Sequence, residues 1–336
     1  MHWVLKQLLF LRFRPLSMGI VKSAWDRLRV DVSLLLVALV WGSSYLVTKG
    51  LSAAASVPAL LGWRFLAATA ALGFLWWWRV RRAPGRAELL TGAVLGLTQA
   101  AVLFLETFGV ARTQASTAGL IISLTVIFTP LLDAAAARRW LPPQFFVAGV
   151  VSIVGVALLT SGGGFRSPQA GDLLMLAAAV ARAVHVSLLG ALTAGRPYSS
   201  ITVTLIQSAV CAMIGIALDP AGMFRAAAGF SPADWAGVLY LGLACSVFAF
   251  VVQLWAVRRT SASRASLLMG TEPLWAVLLG VAVAGEHLGW PGAVGCALII
   301  GGCWAGQKVE ARFRAGAVVD PEPAGTTQQL RAGTGS

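Results

Sequence analysis

The chain is short of charge. Of its 336 residues only 12% are charged, about half of the ~25% usual in soluble proteins. Acids are scarcest, 13 against 26 Lys and Arg. That leaves too little polar surface to keep a chain of this size in water, which excludes a soluble enzyme, a disordered chain and a nucleic-acid module. The four cysteines, Cys211, Cys245, Cys296 and Cys303, sit inside apolar stretches with no metal-ligand or disulfide spacing, and they read as small packing residues. No phosphate-binding Gly-Lys-Ser/Thr loop is present, so ATP drive from this chain is not expected. Neither a His-Glu-x-x-His helix nor a Gly-x-Ser-x-Gly elbow occurs, which gives an intramembrane hydrolase little support. No metal and no cofactor is expected.

What the chain has in abundance is apolar length. Hydrophobic residues make up 58% of it, and mean hydropathy is +0.79. Ten nearly uncharged stretches of spanning length begin near residues 32, 50, 89, 113, 140, 173, 197, 235, 265 and 287. Gly, Pro and Arg punctuate the joints. The runs are continuous rather than alternating, so helices are expected and a barrel is not. The fold class is an all-α integral membrane protein with ten transmembrane helices.

The basic residues give the orientation. With the N-terminus inside, 20 Lys and Arg fall on cytoplasmic segments and 4 outside. Both termini are therefore expected in the cytoplasm. The same spread over many loops explains the net charge of +13 without nucleic acid. Residues 1–30 read as a basic interfacial segment, with Met18 as an alternative start, and 308–336 as a disordered cytoplasmic tail. The preponderance of Arg over Lys suggests a GC-rich genome.

An internal repeat divides the rest. A shift of 147 residues aligns 110–155 with 257–302 at 14 of 46 positions, with an Arg-Thr-x-Ala-Ser core at Arg112 and Arg259. The units are 31–165 and 170–307, five helices each. An odd number inverts the second half relative to the first, the plan of many secondary transporters.

The motifs in these halves resemble the EamA-type family of the drug/metabolite transporter superfamily. Trp41 to Tyr45 (Trp-Gly-Ser-Ser-Tyr) is similar to its opening motif, and Arg64-Phe65 to its Arg-Phe step. Thr260 to Leu268, then Glu272-Pro273 and Gly285-Glu286, match its second-repeat signature. The resemblance implies a ten-helix transporter of small organic solutes and, with the Arg-rich composition, a bacterial cytoplasmic membrane. The first half departs from it: Val126 stands where Pro273 has its counterpart, Pro130 follows four residues on, and Arg139 replaces the acid that Glu286 supplies.

Ionisable groups inside spans are costly and are functional candidates by default. Glu272 and Arg182 fall near mid-span, with His185 one turn from Arg182. They are candidates for substrate binding or proton coupling; the alternative is an ion pair that only joins the halves. Arg64 and Glu106 lie nearer the outer surface, and snorkelling rivals function for Arg64. Gln99 and Gln253 are uncharged candidates, and Gln253 aligns with Glu106 across the repeat. Trp41 and Tyr45 form an aromatic wall or a packing contact. Glu286 reads as a turn cap, and Asp133 as an interfacial charge. Pro130 and Pro273 are candidate hinges, since each removes a backbone hydrogen bond mid-helix. Gly280-x-x-x-Ala284 suits close packing within the bundle or in a homodimer.

The expected function is a secondary transporter, most readily an exporter, of small polar metabolites or amino acids by alternating access. A zwitterion would satisfy both signs of buried charge. The competing class is an intramembrane enzyme or a non-transporting membrane assembly protein. The expected partners are a small-molecule substrate and the lipid bilayer.

Overall fold

The computed structural model describes residues 24–137, 140–160, 169–193, 195–257, 268–287 and 289–319. The segment before residue 24, Arg138 and Arg139, the motif from Thr260 to Leu267 and the tail beyond Val319 lie outside these residues. Among the described residues the chain is all helix, without a strand.

The first half holds α1 (Ala24–Ala54), α2 (Val57–Arg79), α3 (Arg86–Val110), α4 (Ala115–Ile122), α5 (Thr125–Ala137) and α6 (Pro143–Thr160). The second holds α7 (Ala170–Thr193), α8 (Ser200–Leu218), a short α9 (Pro220–Gly229) and α10 (Pro232–Leu239). A π-helical segment, Tyr240–Phe248, leads on to α11 (Ala249–Val257), and α12 (Glu272–Ala282) and α13 (Trp290–Val319) follow. Among the described residues seven stretches are long and apolar enough to cross a membrane, and Pro143–Leu159 and Glu272–Ala282 are shorter apolar helices. This is a multi-pass membrane protein.

Local chemistry sets the ends. Ser56 caps α2 by accepting from the Ala59 amide, with Pro58 just inside, and Ser199 caps α8 the same way through Thr202. Ser231 and Asp234 close a reciprocal capping box at α10.

The helices meet where glycines let backbones touch. α13 lies along α6, with the Gly155 and Gly295 backbones in direct contact and Gly302 against the Ala148 carbonyl. These two contacts exchange under the 147-residue shift, which takes 148 to 295 and 155 to 302. α2 crosses α8 at Gly62 and Gly215, and α3 packs between α7 and α8. α12 presses on α1 at Gly42 and on α4 at Gly119.

Two expectations are corrected. The chain breaks at Ser123-Leu124, between α4 and α5, and at Gly270-Thr271, before α12; these positions also correspond under the shift. The prolines do not make the breaks. Pro130 lies within α5, and Pro273 sits in the first turn of α12, where its missing N–H costs nothing. The breaks come from tight i→i−3 bonds. Leu124 donates to Ile121 and Ile127 to Leu124, as Thr271 donates to Leu268 and Leu274 to Thr271. The Ser123 and Thr271 hydroxyls each take an i−3 carbonyl as well. Secondly, 308–319 is helical rather than disordered. Lys, Glu, Ala and Arg favour helix there, and Val309 and Phe313 pack against the cluster around Leu141 and Phe145. Gly280, for its part, packs within the chain against Glu286 and Ser116.

Candidate functional site

The breaks decide where the charges lie. Glu272 opens α12 directly after its break, where the positive end of the helix dipole favours a carboxylate. Gly42 has no side chain, so α12 approaches α1 until an added Cβ would stand 2.8 Å from the Glu272 carbonyl oxygen. Tyr45, one turn on from Gly42, then reaches Glu272 and donates its hydroxyl proton to Oε1. The residues of the Trp-Gly-Ser-Ser-Tyr motif thus share a task.

Arg182, on α7, stands between two acids. Its Nη2 donates to Glu106 Oε2 on α3 at 2.8 Å, and its Nη1 lies 3.4 and 3.5 Å from the two Glu272 oxygens. The Trp41 ring centroid is 5.7 Å from the guanidinium carbon. Glu106 and Glu272 are 8% and 7% exposed. One cation from the second half is therefore shared by an acid of each half, with a buried tyrosine closing the group.

A cavity of about 60 Å³ adjoins this group. Both halves line it: Trp41, Arg64, Gln99 and Glu106 from the first, Arg182, His185, Phe250 and Gln253 from the second. Gln253 and Glu106, matched by the repeat, share the cavity. Phe250 meets Trp41 edge-on at 5.9 Å, and Leu103, Val186 and Leu189 complete the apolar wall. The space admits only a few waters, far less than the ~300–1,000 Å³ of ordinary ligand pockets.

His185 Nδ1 lies 2.8 Å from the Thr98 hydroxyl. Arg64 does not snorkel: it is 5% exposed, with Nε donating to Ser246 Oγ at 3.0 Å. Tyr45 is 1% exposed and lies behind the cavity rather than on its wall. Pro130 and Pro273 do not line it. Asp133 accepts from Ser187 at 2.7 Å on the α5–α7 contact.

Sequence reading missed the π-helical segment. Its wider turn lets Ser246 bond the Leu241 carbonyl five residues back, and Trp41 Nε1 takes the Cys245 carbonyl at 3.1 Å. Ser246 reaches Arg64 from this stretch and Phe250 follows it on α11, and such insertions often mark functional sites. No residue type in it announces the change.

Glu286 acts at a distance from the cavity. Gly285 has φ +66°, a conformation that favours glycine. The turn it allows returns Glu286 to the start of α4, where it accepts from the Ala115 and Ser116 amides at 2.8 and 3.0 Å. Lys49 Nζ is 3.8 Å away. An acid of the second half thus caps a helix of the first. A larger hollow of about 310 Å³ lies where Arg82, Glu88 and Tyr198 meet. Its acid is already used, by Arg82 at 2.8 Å and the Ser199 amide at 2.9 Å. Among the described residues no group of three or more His, Cys, Asp or Glu is placed to hold a metal ion.

Both halves match the EamA-like transporter family, at residues 28–161 and 169–305. An uncharacterized transporter of Archaeoglobus fulgidus is 25% identical over 282 residues, covering 82% of this chain and 96% of that protein. One crystal structure of a protein superposes with a TM-score of 0.55 at 21% identity, covering 85% of this chain and 98% of that chain. It shares the fold.

Proposed function

Because the chain belongs to the EamA-like transporter family, we propose that it is a secondary transporter of small polar metabolites or amino acids, exporting them by alternating access of two inverted five-helix halves. The observation that carries this is Arg182 shared between Glu106 and Glu272 beside a cavity that both halves line. Buried charge on this scale is expensive in a membrane and is retained where a pathway needs it.

The alternating part rests on the closed cavity and the paired breaks. A site with room for a few waters must open to admit a metabolite, and the breaks at Ser123-Leu124 and Gly270-Thr271 are places where a helix can pivot. Ten spans, with units 31–165 and 170–307 related by inversion, are supported by the reciprocal contacts of α6 with α13. Export rests on the family resemblance. Glu272 is the coupling site in this reading, able to take a proton when Arg182 turns wholly to Glu106. The basic residues support cytoplasmic termini in a bacterial cytoplasmic membrane.

The test is transport in proteoliposomes with an imposed pH gradient. Gradient-dependent movement of an amino acid or polar metabolite is expected. A pure, folded preparation that moves nothing from a broad panel would overturn the reading. Reporters fused after residues 84, 140 and 196 should all be cytoplasmic.

A further inference from the structure

Arg64 is the buried cation on the cavity wall without a carboxylate. Its Nε bonds Ser246, and its guanidinium carbon lies 5.4 Å from the Phe65 ring centroid. That uses one of five N–H donors. Among the described residues no acid pairs with it, and Glu106 and Glu272 both turn to Arg182. Among the described residues its terminal nitrogens meet no acceptor, and they are not among the sealed polar atoms without a partner. Arg64 lines the cavity, so a solute there is within reach of the donors of its fork that the described residues leave unused.

Glu106 complements it. Its Oε2 is taken by Arg182, while Oε1 has no partner among the described residues and is not sealed either. The cavity thus offers one open guanidinium and one open carboxylate oxygen. Arg64 and Arg182 balance Glu106 and Glu272 in charge. A solute carrying both signs satisfies both open groups without unbalancing the site, whereas an amine alone leaves Arg64 bare and a dianion leaves excess negative charge.

We propose that Arg64 binds the carboxylate of a zwitterionic amino acid, with Glu106 Oε1 receiving its ammonium group. The assignment rests on the transporter reading and names the ligand of that same cavity. A guanidinium fork matches a carboxylate through two parallel N–H bonds, which a lysine cannot reproduce. Arg182, on the same cavity wall, acts as a positioning residue that fixes Glu106 and Glu272.

The experiment compares wild type, Arg64→Gln and Arg64→Lys in two assays. In thermal-shift titrations the probes are L-leucine, L-phenylalanine and L-serine, the matched amines isoamylamine, phenethylamine and ethanolamine, and inorganic phosphate. At least one amino acid should stabilise wild type, with its amine and phosphate inactive. Arg64→Gln should weaken that binding at least tenfold, and its unliganded melting temperature, read beside wild type, separates lost affinity from lost fold. Arg64→Lys keeps the charge and should raise KM at least tenfold in proteoliposomes with kcat retained; it decides the matter if Arg64→Gln does not fold. Equal stabilisation by the amines or phosphate, or wild-type affinity in both variants, would overturn the proposal. If the variants move the amino acid as wild type does, the Arg64 assignment falls and the transporter reading stands. If wild type neither binds nor moves any solute, both fall.

Discussion

Arg182 bonds Glu106 at 2.8 Å but stands 3.4 Å from Glu272, so its tighter partner is in the other half of the chain. Pairing Arg182 with Glu272 alone, as their similar depth along the sequence suggests, misses this. The difference orders three substitutions. Arg182→Met strands two buried carboxylates and is expected to cost about 3–5 kcal/mol, the usual loss when one partner of a buried pair is removed. Glu106→Gln should cost more than Glu272→Gln, because it removes the charge from the closer pair. Melting temperatures in detergent measure the order, and a reversed order would show Glu272 to be the true partner.

Glu272→Gln probes coupling rather than folding. Arg182 keeps Glu106, and Tyr45 can still donate to the new side-chain oxygen. Gradient-driven transport should be lost while exchange of solute across the membrane continues. Counterflow and pH-gradient uptake by the same proteoliposomes separate the two. A variant with full gradient-driven transport would remove Glu272 from the coupling role.

Gly42→Ala tests the approach of α12 to α1. The added carbon would lie 2.6 Å from Trp275 Cβ and 2.8 Å from the Glu272 carbonyl oxygen. Neither the backbone nor a Cβ yields as a flexible side-chain tip does, so overpacking of about 1–3 kcal/mol is expected. The shift should also pull Glu272 from Tyr45 and lower transport. Unchanged stability and transport would mean that α12 sits farther from α1.

Glu286→Ala removes two hydrogen bonds from the start of α4. Loss of a helix cap costs about 0.5–2 kcal/mol, and the lost charge adds to that. Glu286→Gln retains an acceptor and should cost less. Since Glu286 is away from the cavity, substrate affinity should hold in both; a tenfold loss of affinity would place it in the binding site.

Asp219 gives a pH dependence outside the spans. The Ser56 hydroxyl, at 2.5 Å, and the Gly222 amide, at 2.7 Å, hold its carboxyl below the ordinary 3.8. A depressed folded value means that the carboxylate contributes stability above 3.8, lost as pH falls through the lowered value. Hydrogen exchange of the Gly222 amide, corrected for intrinsic rates, should show protection at pH 6 and less near pH 2–3. Asp219→Ala should be unprotected at both. Protection that persists in the alanine variant would show that the side chain does not hold this turn.

The buried charges were legible because a membrane makes them rare: Arg64, Glu106, Arg182 and Glu272 stand out against apolar runs. Their connections were not. Glu272 reads as mid-helix from the start of its apolar run, but it follows a break made by hydroxyls and tight turns rather than by Pro273. Ser123 and Thr271 carry that break, and serine and threonine occur in unbroken helices too, so residue type alone does not mark it. The open fork of Arg64 depends on where Glu106 and Glu272 turn, which no spacing encodes.

By itself the sequence determined the solvent of this protein, its helical character, the 147-residue repeat and the family it resembles. Each of these follows from composition or from order along one chain. Only the tertiary structure decided that Arg182 serves two acids, that Tyr45 lies behind the cavity and Arg64 opens into it, and that Glu286 caps a helix of the opposite half. These are contacts between residues 76 to 227 positions apart. They depend on how closely Gly42 and Gly119 let α12 approach, and that is a property of packed surfaces, which local sequence does not carry.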